Sequence, residues 1–120
     1  MPREGASYAT ARESVTALQE AGVTILAGTD SVEQEGMPFS IPLGASLHRE
    51  LELLVQAGLP VAQVLASATG RAATCWGLED RGEIRVGARA DLVLLEGDPL
   101  QDIAATRSIQ GVWVAGRHIG

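Results

Sequence analysis

A short apolar run rich in β-branched residues, Val23 to Ala27, is the feature that most limits what this chain can fold into. A helical pattern over residues 9–21 precedes it, and a single glycine, Gly22, separates the two. Continuous apolar runs of this kind are typical of strands that are buried on both faces of a parallel sheet. The pattern therefore predicts the helix-to-strand half of an α/β unit, which needs neighbouring strands to complete it.

Three more helices are predicted between residues 47 and 77, over 47–57, 61–68 and 71–76. Apolar residues recur along the first of them at the spacing of one helix face: Leu47, Leu51, Leu54 and Val55. Gly58 and Leu59 then follow in the order of a Schellman cap, in which a left-handed glycine ends the helix and the next residue makes an apolar contact.

The character of the sequence changes near residues 78–81, after which it predicts strands rather than helices. The predicted strands are 82–87, 91–95 and 109–114. A two-residue turn at Ala115 and Gly116 is predicted to connect the last of these to the C-terminal residues. We therefore expect an α/β part over residues 1–78 and a β part over residues 79–120.

Composition excludes several kinds of partner and site. Nine Lys and Arg residues against 15 Asp and Glu give a net charge of −6, which opposes binding to nucleic acid or to an anionic membrane surface. All nine basic residues are arginines, so this chain holds no Schiff-base or carbamylated lysine. The apolar runs are far shorter than the ~20 residues of a membrane-spanning helix. The single cysteine, Cys75, favours a reducing compartment, and we expect a cytoplasmic protein.

Asp30 is the main candidate for a catalytic or metal-binding residue. It follows the 23–27 run, and ligands of α/β sheets bind at the carboxyl ends of the strands. A carboxylate there can hold a metal, orient water or accept a proton. Its position equally suits an aspartate that caps a turn or the next helix. The aperiodic connection over 31–45 is long enough to suggest a functional loop.

His48 is the second candidate, because it lies in the first turn of the helix that follows the long loop. It is placed to contact a ligand at the strand ends, or to pair on the surface with Glu52 four residues later. Three other side chains are assigned no chemical role. We expect Glu50 and Glu52 to be solvated on different faces of the helix, and Cys75 to contribute packing rather than a nucleophile.

Three stretches, in this order, resemble one enzyme family. They are Gly28-Thr29-Asp30 after the predicted strand, Leu47-His48-Arg49-Glu50-Leu51 in the helix, and Gly87-Ala88-Arg89-Ala90-Asp91-Leu92-Val93 in the β part. The β part, residues 79–120, is called the tail below. Together the three stretches resemble the C-terminal third of the metal-dependent amidohydrolase superfamily, on its imidazolonepropionase-like and Xaa-Pro dipeptidase-like branch. The resemblance extends from Gly22 to about Ile119.

The resemblance implies a (β/α)8 barrel with a small β-sandwich built from both chain ends. Residues 22–30 are similar to barrel strand eight, helix 47–57 to the eighth barrel helix, and the strands after Gly82 to the returning half of the sandwich. Asp30 matches the strand-eight aspartate, which ligates a divalent metal, here expected to be zinc, and takes a proton from the attacking water. His48 lies in a stretch typical of this branch and is expected to contact substrate, a small amide, cyclic amide or dipeptide.

The other metal-binding residues of the family are absent from this sequence. The paired histidines of strand one, the lysine of strand four and the histidines of strands five and six have no counterpart, whereas a catalytic zinc needs about three protein ligands. We therefore expect a truncated chain that lacks its N-terminal segment, with open strand edges that favour self-association. Two functions stay open: the C-terminal part of a hydrolase of carbon–nitrogen bonds, or a non-catalytic remnant that acts as a structural or interaction module.

Overall fold

The computed structural model describes residues 7–36 and 41–120. Within these ranges the chain forms four α-helices, one 3-10 helix and a three-stranded antiparallel sheet. In chain order the elements are α1 (Tyr8–Glu20), α2 (Ala45–Gln56), α3 (Val61–Ser67), α4 (Gly70–Cys75), β1 (Leu92–Leu95), the 3-10 helix (Ile103–Arg107), β2 (Ile109–Val114) and β3 (Arg117–His118). No helix of the described ranges combines the length and the apolarity that crossing a bilayer requires.

The four predicted helices are all confirmed, and the predicted cap after α2 has the expected bonds. The Gly58 N–H donates to the Val55 carbonyl at 2.9 Å, and the Leu59 N–H donates to the Leu54 carbonyl at 3.3 Å. Gly58 has a φ of 98°, in the left-handed region that glycine adopts without steric cost. The same two bonds end α1 and α4. Local glycine rules therefore determine where α1, α2 and α4 end.

The segment 23–27, predicted to be a strand, pairs with no sheet in the described chain, so the strand is not formed there. No ladder of backbone hydrogen bonds pairs with it anywhere in the described ranges. Val23 is 49% exposed, and Ile25 is half-buried rather than buried. The Ala27 N–H donates to the Ser67 carbonyl at 3.2 Å, which attaches the segment to the end of α3. A strand exists only through its neighbours, and the described chain offers none beside this segment.

The predicted strand at 82–87 is wrong, because these residues form bends and turns. Ile84 and Val86 are 91% and 103% exposed, so their alternation does not bury one face of a sheet. Both glycines that bound the run have left-handed φ values. Gly82 also packs closely: a Cβ there would lie 2.7 Å from the Ala73 Cβ. These glycines serve turns and close contact with α4 rather than the ends of a strand.

The other two predicted tail strands and the hairpin turn are confirmed. β1 pairs with β2 and β2 with β3, both antiparallel. Ala115 and Gly116 have φ values of 50° and 80°, as in a type I′ turn. The Asp91 carboxylate accepts the Ala115 N–H at 2.8 Å, and the Ala90 carbonyl accepts the Gly116 N–H at 2.9 Å. Two residues of the tail motif therefore hold the hairpin turn.

The core lies where the helices meet the 3-10 helix, an element that the sequence analysis did not predict. Its buried apolar residues are Leu51, Leu54, Ala57, Leu59, Val64 and Ile103. Val15 of α1 and Ile25 of the unpaired segment pack against it while half-buried. Because Ile103 comes from the tail and is buried to 8% exposure, the tail and the helices share one core.

Candidate functional site at the Asp30 turn

Asp30 is exposed and lies in an irregular connection, residues 28–31, directly after the unpaired segment 23–27; because Asp30 has a positive φ, this connection is called the Asp30 turn below. The φ of Asp30 is 52°, in the left-handed region that few non-glycine residues adopt, although Asp and Asn do so more readily than others. A backbone of this kind costs about 1–3 kcal/mol and persists only where the surroundings hold it. The Asp30 carboxylate makes no hydrogen bond or ion pair to any residue of the described ranges. The turn therefore presents a free carboxylate on a held backbone.

A row of hydroxyl groups holds the turn after Asp30. Thr29 Oγ1 lies 2.5 Å from Ser31 Oγ, which lies 2.6 Å from Ser46 Oγ at the start of α2. Ser46 Oγ donates to the Pro42 carbonyl at 2.5 Å. Each hydroxyl has a single proton to give. Since Ser46 gives its proton to Pro42, Ser31 donates to Ser46 and Thr29 donates to Ser31, so the row has one direction.

Glu50 holds the turn before Asp30. Its Oε1 accepts the Gly28 N–H at 3.3 Å, and its side chain is half-buried. Glu50 is partly exposed, as expected for a solvated residue, but it also bonds a backbone amide that has no ladder partner. Ser46 and Glu50 are four residues apart in α2 and so lie on one helix face. That i, i+4 spacing below a predicted strand end is the signal in the sequence that could have identified them.

His48 contacts the tail rather than the Asp30 turn. Its Nδ1 lies 2.9 Å from Thr106 Oγ1, and that hydroxyl donates to the Ile103 carbonyl at 3.1 Å. Because the Thr106 proton is used there, the His48 Nδ1 carries a proton and donates to Thr106. In the neutral ring Nε2 is then the acceptor. The substrate contact predicted for His48 is not tested by this bond, which uses only one ring nitrogen.

Glu52 forms ion pairs with arginines instead of pairing with His48. Arg107 Nε lies 3.1 Å from Glu52 Oε1, and Arg49 Nη1 lies 3.3 Å from Oε2. The hydrogen bond from Arg107 is the main reason that the pKa of Glu52 lies below its ordinary value. Glu52 therefore ties α2 to the 3-10 helix of the tail, next to the His48–Thr106 bond.

The described residues do not form a complete metal site. No three His, Cys, Asp or Glu side chains of residues 7–36 and 41–120 are close enough together to hold an ion. His48 bonds Thr106, and His118 stacks on Trp113 with ring centroids 4.8 Å apart. A catalytic zinc has about three protein ligands. Asp30 is thus a single donor, and a site built on it needs ligands from outside the described residues.

A cavity of about 590 Å³ lies at the other end of the segment 23–27. Val23 and Thr24 line it together with residues from the end of α1 and from α3 and α4. Cys75, expected to be a packing residue, is exposed and lines this cavity. The cavity is therefore separate from the Asp30 turn.

Comparison with known proteins places these features in a family. Residues 7–119 match the sequence model of the amidohydrolase family. Imidazolonepropionase of Deinococcus radiodurans is 31% identical over 105 residues, which are 85% of this chain and 25% of that protein. The structure of a Xaa-Pro dipeptidase with bound methionine in the active site matches with a TM-score of 0.77 and 27% identity over 92% of this chain and 26% of that chain. Molinate hydrolase matches with a TM-score of 0.76 and 26% identity over 89% of this chain and 26% of that chain.

The resemblance to imidazolonepropionase and to Xaa-Pro dipeptidase is confirmed by these matches. The structural neighbours are amidohydrolase barrel enzymes, and the described fold corresponds to a piece of such an enzyme. The chain spans about a quarter of the length of the relatives it matches. This chain belongs to the amidohydrolase family.

Proposed function

We propose that this chain is the C-terminal part of a metal-dependent hydrolase that cleaves carbon–nitrogen bonds in a small amide, cyclic amide or dipeptide. The observation that carries the proposal is the held turn at Asp30, which presents a free carboxylate in a chain that matches the amidohydrolase family over residues 7–119. The names of the relatives, an imidazolonepropionase and a Xaa-Pro dipeptidase, favour substrates of this class.

In this proposal Asp30 is a metal ligand and the proton acceptor for the attacking water. A bound divalent metal, which we expect to be zinc, would lower the pKa of the water that it binds to ~7. Its remaining ligands would come from a segment outside this chain. His48 would contact substrate, and since Nδ1 donates to Thr106, the contact would use Nε2. The cytoplasmic location and the lack of nucleic-acid or membrane partners stay predictions.

We extend the proposal to the architecture, with residues 22–30 as barrel strand eight, α2 as the helix that follows it, and β1–β3 as half of a sandwich. The unpaired segment 23–27 supports this placement. A barrel strand takes its hydrogen bonds from two neighbouring strands, so it stays without a ladder where those strands are not present. Ile25 and Ala27 of the segment are half-buried and pack against the core, which includes Leu51 and Leu54 of α2 and Val64 of α3.

A chimera tests the proposal directly. This chain replaces the matching quarter of Deinococcus radiodurans imidazolonepropionase, and the activity of that enzyme is measured with metal bound. We expect activity in the intact chimera and a ~10²–10⁴-fold lower kcat in Asp30→Asn, as for loss of a catalytic base. Glu35→Gln, an exposed carboxylate in the loop after the turn, is the matched control. A folded, metal-loaded chimera whose Asp30→Asn variant keeps full activity contradicts the role of Asp30.

A structural or interaction module is the second candidate, and exposed apolar side chains favour it. Trp76, Ile84 and Val86 are 77%, 91% and 103% exposed. Large apolar side chains that are this exposed are available for contact with a partner. Sedimentation of the chain across a hundredfold concentration range tests this candidate. We expect self-association, and a monomer at every concentration contradicts it.

A further inference from the structure

Asp30 and Ala115 are the two non-glycine residues of the described ranges with a positive φ. Ala115 is held by the ladder between β2 and β3 on either side of it. Before Asp30 there is no such support, because segment 23–27 pairs with no strand, whereas after it Val32 forms an isolated bridge with Ile41. The left-handed conformation is sterically unfavourable for an L-residue. Other contacts must therefore stabilise the backbone of Asp30 in this conformation.

Two side chains of α2 supply these contacts, one on each side of Asp30. Glu50 Oε1 accepts the N–H of Gly28, two residues before Asp30, at 3.3 Å. Ser46 Oγ accepts the hydroxyl proton of Ser31, the next residue after Asp30, at 2.6 Å. The backbone of Asp30 is therefore fixed between two bonded neighbours.

The helix that carries these two side chains is itself fixed. Leu51 and Leu54 on α2 are 4% and 6% exposed and belong to the core. On its other side α2 is tied to the tail through His48 and Glu52. Ser46 and Glu50 thus project from a helix that cannot move without disturbing the core, which suits residues that must hold a precise geometry.

We infer that Glu50 and Ser46 are positioning residues that hold the left-handed turn of Asp30, and through it the direction in which the catalytic carboxylate points. The inference rests on the proposed function for its catalytic meaning. Glu50 acts through the backbone amide of Gly28, so it needs no contact with substrate or metal.

The test uses nuclear magnetic resonance on the full 120-residue chain, labelled with nitrogen-15 and carbon-13. In Glu50→Ala we expect about tenfold faster hydrogen exchange at the Gly28 amide, as for loss of one bond to a charged acceptor. The HN–Hα coupling and the Cα shift of Asp30 should move away from values for positive φ, and further in Glu50→Ala with Ser46→Ala. Glu50→Gln keeps an acceptor oxygen and should restore both readouts. Gln56→Ala, an exposed residue on the same helix, is the control.

The outcomes separate this inference from the proposed function. A positive φ at Asp30 that persists in the double variant, with the helices intact by circular dichroism, overturns the inference. In the chimera, Glu50→Ala should lower kcat about tenfold with little change in KM, and Glu50→Gln should recover most of it. An unchanged kcat in Glu50→Ala, while Asp30→Asn is inactive, overturns the inference alone. An active Asp30→Asn chimera removes the proposed function and leaves the effect on turn geometry standing.

Discussion

In residues 7–36 and 41–120, two turns hold a non-glycine residue at positive φ, and they are stabilised in opposite ways. At the tail hairpin the Asp91 carboxylate accepts the Ala115 N–H at 2.8 Å and lies 2.9 Å from Arg89 Nε. The carboxylate of Asp91 therefore stabilises the fold. At the other turn, side chains from α2 bond the residues on either side of Asp30, and the carboxylate of Asp30 itself bonds nothing in the described ranges.

This difference separates a structural acid from an acid that is available for chemistry. Both aspartates lie in motifs that carry the family resemblance, so sequence position alone does not tell them apart. Their bonds do. The Asp91 Oδ1 accepts both a backbone N–H and a guanidinium N–H, so this acid already has a structural role. An exposed acid on a strained, held backbone, by contrast, has the features of a functional site.

The largest expected effect tests this contrast within one chimera. Asp30→Asn should lower kcat/KM by ~10²–10⁴-fold and leave the unfolding midpoint nearly unchanged. Asp91→Asn should lower the unfolding midpoint and leave kcat/KM within about twofold. Enzyme assays measure kcat/KM of both variants, and thermal unfolding measures their unfolding midpoints. If Asp91→Asn is the variant that loses activity while keeping its stability, the contrast between the two turns is wrong.

The second effect concerns how the tail is joined to the helices. Ile103 is 8% exposed in the shared core, so Ile103→Ala should cost about 2–5 kcal/mol of the free energy of unfolding. Ile109 in β2 is 45% exposed, and Ile109→Ala is the matched control, with an expected cost below about 1 kcal/mol. Urea unfolding followed by tryptophan fluorescence measures both. Equal costs for the two variants contradict a core that spans both regions.

Features set by short-range chemistry could be predicted from the sequence. The cap at Gly58 and Leu59 follows from a glycine after an amphipathic stretch, and the turn at Ala115 and Gly116 follows from a two-residue link between strands. Each depends on residues within one helical turn or one hairpin. Such local rules predicted the correct positions of all four helices and of strands β1 and β2.

Features that depend on distant partners could not be predicted. Residues 23–27 have the composition of a buried strand, but pairing is decided by other segments, and the described chain brings none to them. The run at 82–87 alternates like a strand, yet it forms bends and turns, and its first glycine packs closely against Ala73 of α4. The bond from Gly28 to Glu50 joins residues 22 positions apart. The i, i+4 spacing of Ser46 and Glu50 indicates a shared helix face, but it does not indicate which backbone group that face bonds.

The third effect is a pH dependence confined to the tail turn. The Ala115 N–H bond is the main reason that the pKa of Asp91 lies below its ordinary value, and Arg89 adds to it. A depressed folded-state pKa contributes stability above the unfolded-state pKa of about 3.9, and this contribution is lost as the pH falls below that value. The difference in unfolding midpoint between the native chain and Asp91→Asn should therefore be present at pH 6 and shrink below about pH 4. A difference that does not change with pH contradicts an ionised Asp91 in this role.

The smallest effect is a gain in stability at the turn proposed for catalysis. Asp30→Gly removes the steric cost of a left-handed L-residue, so it should raise the free energy of unfolding by about 1 kcal/mol. Glu35→Gly in the same loop, where φ is not positive, should be neutral or destabilising because glycine gains entropy in the unfolded chain. Chemical unfolding measures both. A gain at residue 30 alone means that Asp30 is kept at the expense of stability, as is common for residues retained for function, whereas Asp91 needs no such explanation because the fold itself uses its carboxylate.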